Sequence, residues 1–212
     1  RPPVPPSYLA VSSIRDLPAS GTAAAPVAIA PPANEAAGAA ITRLSALHTR
    51  SASAVGDSVM LGSAQALREL VPKLTIDAEV GRQPAAAVAT VRDLSSAGEL
   101  GDAVIVHVGN NGPFDAQEFN DLLDALGNTR RVLVVNLRVP RPWESANNEV
   151  LVAGIRRHPR AELVDWHSAS AGHPEFFRDD GVHLVPAGAR VYTTMIALQL
   201  YTDDLVTFFA GR

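Results

Sequence analysis

A chain of 212 residues that is 47% hydrophobic and 19% charged carries enough apolar material for a real core. Its net charge of -4 supplies no basic field for nucleic acid, and no apolar run reaches the ~18 residues of a membrane span. Cysteine is absent, which excludes disulfides, thiolate metal sites and cysteine nucleophiles.

Residues 1 to 50 hold eight of the sixteen prolines and thirteen alanines. Pro2-Pro3-Val4-Pro5-Pro6 and Ala30-Pro31-Pro32-Ala33 favour extended polyproline II backbone, so this stretch reads as a linker. Asn34 to Thr49 has helical composition and is expected to form a lead-in helix. The chain starts at Arg1 with no signal-peptide pattern, which predicts a piece of a longer protein.

From residue 51 strand-like and helix-like segments alternate. The predicted strands are Ala52 to Gly56, Leu74 to Val80, Ala103 to Val108, Arg131 to Asn136 and Ala161 to Asp165. They are short, and several are continuously apolar, as parallel strands covered on both faces are. Met60, Ala64, Leu67 and Val71 share one helical face, as do Phe119, Leu122, Leu123 and Leu126. The second of these helices has Asp115 with Glu118 at its start and Gly127 past its end. Weaker patterns follow Pro84 and run from Glu144 to His158; a last helix begins near Pro186, with Val191, Met195 and Leu198 on one face. Such alternation predicts an α/β domain: a three-layer α/β/α sandwich around a five-stranded parallel sheet.

Ser58 stands in Val55-Gly56-Asp57-Ser58-Val59-Met60, where a predicted strand turns into a predicted helix. Asp and Ser are favoured helix caps, so the motif alone marks a helix start. A serine at the carboxyl end of a strand is also well placed for chemistry, provided that a base takes its proton and a third group orients the base. Of the six histidines, His107 lies inside an apolar strand, as a core histidine would. His183 lies in Asp179-Asp180-Gly181-Val182-His183-Leu184, where a turn brings the Asp180 carboxylate back to the ring and leaves the other nitrogen for Ser58. Gly81 follows the second strand, and Gly109-Asn110-Asn111-Gly112 follows the third. A side-chain amide there, with a backbone N–H at Gly81, is a possible oxyanion donor set, although Gly and Asn are also ordinary turn residues. His167, His173, Asp180 and His183 lack metal-ligand spacing, so no metal is expected.

The order Ser58, Gly81, Asn111, His183 resembles the four sequence blocks of the SGNH hydrolase family, also called GDSL. The resemblance rests on Gly56-Asp57-Ser58, Gly81, Gly109-Asn110-Asn111 and Asp180-Gly181-Val182-His183, and covers residues 51 to about 200. Two departures stand out: Gly112 replaces the usual Asp after the third-block asparagine, and Val59 replaces the Leu of lipolytic members. Both look like the extracytoplasmic domain fused behind membrane-bound O-acyltransferases of the peptidoglycan O-acetyltransferase type. Val80-Gly81-Arg82-Gln83 and Val135 to Trp143 are similar to that subgroup too.

The resemblance implies a catalytic domain over residues 51–212 with Ser58 as nucleophile, His183 as base and Asp180 as its orienting group. It implies an oxyanion hole from the amides of Ser58 and Gly81 and the side chain of Asn111. Arg82, Arg138 and Trp143 become the expected substrate-binding residues, Arg141 lying on the same loop. The expected reaction is acetyl transfer to a cell-wall or cell-surface glycan, with muramic acid favoured, and without cofactor. The expected partners are the acetyl donor, the glycan and a membrane acyltransferase domain upstream, on the outer side of the membrane. A carbohydrate esterase of the same fold and a non-catalytic glycan-binding domain are the alternatives.

Overall fold

The computed structural model describes residues 13–15, 51–127 and 129–210. The lead-in helix expected over residues 34–49 lies outside them. β1 (Ser13–Arg15) precedes β2 (Ala52–Gly56), α1 (Ser58–Leu70), β3 (Leu74–Glu79), α2 (Pro84–Ala97), β4 (Ala103–His107) and α3 (Ala116–Ala125). β5 (Arg131–Val135), α4 (Glu144–Ile155), β6 (Ala161–Val164), the single turn α5 (Trp166–Ala169) and α6 (Pro186–Ala210) complete the order.

Continuous apolar strands need cover on both faces, and they receive it. In β4, Ala103 and Ile105 point into a core with Met60, Leu67, Tyr192 and Ile196, under α1 and α6. Val104 and Val106 point the other way, against Val91, Phe119, Leu122 and Leu151 of α2, α3 and α4. Burying a Leu or Phe such as Leu122 or Phe119 stabilises by roughly 1.5–3 kcal/mol. α3 carries the capping box expected of Asp115 and Glu118: the Asp115 carboxylate accepts from the Glu118 amide at 2.8 Å, and Glu118 reaches back at 3.1 Å.

Among the described residues the sheet has six strands, in the order β1-β3-β2-β4-β5-β6. Five are parallel, as expected, with each strand ending within one residue of its expected limit. The sixth is a correction. Ser13–Arg15, within the stretch read as linker, pairs antiparallel with β3. Without it β3 would be a bare edge with unpaired N–H and C=O groups. Arg15 fastens the strand, its guanidinium 3.5 Å from both Asp77 and Glu99.

This order places the topological switch between β2 and β4. β3 lies on one side of β2 and β4 on the other, so the loops leaving β2 and β4 diverge and open a crevice at their carboxyl ends. A cavity of about 240 Å³ opens at the opposite edge, between Arg15, Thr75, Asp77 and Glu99, and none of the expected site residues lines it. Among the described residues no helix is long and apolar enough to cross a membrane.

Candidate active site

The helix cap and the candidate nucleophile are two neighbouring residues. Asp57 is the cap of α1: its backbone is extended, and Oδ1 accepts the Val59 amide at 3.1 Å. Ser58 is the first helical residue, 5% exposed. Its Oγ lies 3.0 Å from Nε2 of His183. Its amide sits at the positive end of the 13-residue helix α1, where negative charge is stabilised.

The His183 loop is folded by Asp180. Oδ1 of Asp180 accepts the amides of Val182 and His183, both at 2.9 Å, while Oδ2 meets Nδ1 of the His183 ring at 2.7 Å. One oxygen makes the turn and the other binds the imidazole. Gly181 between them has φ +67, and a Cβ there would come within 3.3 Å of Pro140 Cγ, so the turn favours glycine. Burial acts to raise the Asp180 carboxyl, but its bonds from His183 and from the Val182 and His183 amides outweigh it and hold the group below the usual carboxylate range. The ionised carboxylate only accepts, which assigns the Nδ1 proton to His183 and leaves Nε2 to accept from the Ser58 hydroxyl.

Asn111 reaches the turn that follows Gly81, its Nδ2 donating to the Arg82 carbonyl at 3.3 Å. Gly81 turns the chain after β3 with φ +74. Gly112 packs against Gln83: a Cβ at 112 would come within 2.7 Å of Gln83 Oε1, so the glycine lets the two loops close up. Gly109, at φ +112, favours glycine on its backbone alone, and a Cβ there would crowd Asn147 Nδ2 and Leu137 Cδ1 at 3.2 and 3.1 Å.

That asparagine is a site-supporting residue which sequence reasoning missed. Asn147, 2% exposed, donates to the carbonyls of Gly109 (3.0 Å) and Gly112 (2.9 Å) and accepts from the Phe114 amide (2.8 Å). It pins the whole loop that presents Asn111. Nothing in the string Ser145 to Glu149 distinguishes it from a surface helix residue.

The expected substrate-binding set divides. Arg82 is corrected: it does not face a groove. Its side chain is 4% exposed and pairs with the Asp77 carboxylate, while NH1 donates to the Asp77 carbonyl at 2.9 Å. A guanidinium this enclosed braces the β3–α2 turn and presents no surface to a sugar. Arg138 stays 41% exposed, with NH1 at 3.8 Å from Glu144. Trp143 begins α4 half-buried, its indole Nε1 enclosed without a hydrogen-bond partner, and Arg141 is exposed. Pro140 places their loop against Gly181, beside the Asp180–His183 turn. Among the described residues no three metal-ligating side chains converge.

Over 143 residues the chain is 42% identical to the peptidoglycan O-acetyltransferase OatA of Listeria monocytogenes, covering 68% of this chain and 23% of that protein. Over 149 residues it is 36% identical to the O-acetyltransferase OatA of Staphylococcus aureus, covering 70% and 24%. The chain thus spans about a quarter of the length of these relatives. In structure it is similar to the C-terminal catalytic domain of peptidoglycan O-acetyltransferase A from Streptococcus pneumoniae, with a TM-score of 0.64 at 22% identity, over 72% of this chain and 94% of that one. No family model matches. The chain is thus homologous to part of the OatA-type peptidoglycan O-acetyltransferases, and its fold is that of the SGNH hydrolases.

Proposed function

We propose that this domain is a serine-dependent O-acetyltransferase acting on a glycan hydroxyl, that of peptidoglycan muramic acid above all. The observation that carries the reading is the chain Ser58 Oγ, His183 Nε2 and Nδ1, Asp180 Oδ2, with separations of 3.0 and 2.7 Å at the sheet's switch point. The relatives' activity favours acetyl transfer over lipolysis.

In the first half-reaction Ser58 Oγ attacks the acetyl carbonyl while its proton passes to His183 Nε2. The carbonyl oxygen becomes an oxyanion, met by the amides of Ser58 and Gly81 and the side chain of Asn111. Collapse breaks the donor's ester bond, and the leaving oxygen takes the proton from Nε2. In the second half-reaction the sugar hydroxyl gives its proton to Nε2 and attacks the acetyl-serine; collapse returns the proton to Ser58. Asp180, ionised throughout, keeps the ring oriented and stabilises the imidazolium. The exposed Arg138 and Arg141, with Trp143, offer a charged and aromatic border for the glycan. The domain works on the outer side of the membrane as part of a longer protein, joined to a membrane acyltransferase region.

The test is to incubate the domain with an aryl acetate and a chitin oligomer or muropeptide, and to weigh the sugar products. Transfer gives sugar heavier by one acetyl group, and Ser58→Ala abolishes both this and labelling by a sulfonyl fluoride. Full activity in Ser58→Ala refutes the nucleophile assignment. Release of free acetate alone, at every acceptor concentration, makes the domain a carbohydrate esterase.

A further inference from the structure

Behind Ser58 lies a second polar chain that the proposed reaction does not use. Asp57, His107, Asn110 and Tyr192 are 0%, 1%, 5% and 1% exposed. Oδ2 of Asp57 accepts Nδ2 of Asn110 at 2.9 Å, and the same nitrogen lies 3.3 Å from His107 Nε2. Nδ1 of His107 lies 2.8 Å from the Tyr192 hydroxyl. The Asp57 amide also donates to the His107 carbonyl at 3.2 Å.

The proton placement follows from donor counting. The carboxylate of Asp57 takes one hydrogen of the Asn110 amide group. The second points at Nε2, which must therefore be the bare nitrogen. His107 carries its proton on Nδ1 and donates to Tyr192. Burial lowers the pKa of His107, against the pull of Asp57, so the ring is neutral.

The four residues come from three segments: the turn of Ser58, the loop of Asn111, and α6, which follows His183. Asn110 immediately precedes Asn111, so whatever fixes the first aims the second. We propose that Asn110 is a positioning residue for the transfer reaction, locking the Ser58 turn to the Asn111 loop through Asp57 and tying both to α6 through His107 and Tyr192. The proposal rests on Ser58 being the nucleophile.

The test reverses the pair. Asn110→Asp removes the donor and sets two carboxylates face to face; kcat on an aryl acetate should fall about 10- to 100-fold, with KM within about twofold. Adding Asp57→Asn restores an amide–carboxylate pair in the opposite sense, with the introduced amide oxygen still free to cap Val59. The double variant should recover most of kcat. It should also move the His107 proton from Nδ1 to Nε2, facing the carboxylate introduced at position 110, which imidazole ¹⁵N shifts report directly. A folded Asn110→Asp variant with wild-type kcat overturns the proposal, and so does a double variant no better than the worse single one. If Asn110→Asp does not fold, Tyr192→Phe decides: kcat about two- to tenfold lower at unchanged KM supports the lock, and no change overturns it. Absence of turnover in the wild-type domain is a different failure; it removes the Ser58 reading and this proposal with it, before any variant is compared.

Discussion

The Asp180–His183 turn and the Asp57–Asn110–His107–Tyr192 chain both join a carboxylate to an imidazole, one on each side of Ser58. In the first, the side chains of Asp180 and His183 are 46% and 21% exposed, three residues apart, and held by a single turn. In the second the groups are buried and come from positions 57, 107, 110 and 192. An imidazole within reach of water and aimed at a hydroxyl is suited to passing protons. One sealed between an amide and a phenol holds a fixed tautomer. The same chemical pair suits exchange in one setting and geometry in the other, and burial makes the difference.

Substitutions that break this contrast rank by size. Asp180→Asn is the largest: it keeps the shape of the turn but removes the anion and allows the wrong tautomer of His183, so kcat should drop by about 10⁴-fold with the thermal midpoint nearly unchanged. A drop below tenfold would mean that the exposed pair, too, is only structural. Asn111→Ala comes next, with about 10²–10³ in kcat as expected for one oxyanion donor, measured under saturating donor. Equal losses in kcat and in fold stability would instead make Asn111 part of the scaffold.

The smallest effect separates the two carboxylate–imidazole sets by pH. The unfolded chain takes up a proton at His107 near its ordinary value of 6.5, whereas burial lowers the native value. Stability is therefore independent of this group above pH 6.5 and declines as pH falls below it, by up to ~1.4 kcal/mol per pH unit. Asp180 acts with the same sign but in another window. Its native value lies below the ordinary 3.8, so its contribution is complete above 3.8 and lost only as pH falls through the lower native value. Urea midpoints between pH 7.5 and 4.5 should thus slope in the wild type and lose part of that slope in His107→Gln, but not in Asp180→Asn.

What could be read beforehand follows the same division. Strand continuity, the Asp115–Glu118 box and the Asp180-to-His183 spacing are local patterns, and each names its structure within a few residues. Ser58 and His183 are 125 positions apart, yet each sits in a short recognisable string at an element end. Asn147 and Tyr192 carry no such string; only packing reveals that an asparagine near the start of a helix holds three backbone groups of a distant loop. Arg82 misled for the converse reason. Its place in the Val80–Gln83 string, similar to the subgroup, suggested a substrate contact, but a buried Asp77 claims the guanidinium. β1 escaped notice because three residues are too few for a period-two signal and the surrounding prolines and alanines argue for a linker.

That small strand also has a direction. Ser13 stands opposite Glu79 and Arg15 opposite Asp77, so β1 runs along the edge from the end of β3 that leads to Gly81 toward its other end. The backbone at Ser13 is therefore level with the proposed reaction centre. A force along β1 would load its three ladder pairs in shear at that end of the sheet. That joint is separable from the chemistry of the site by cutting the contacts of Arg15.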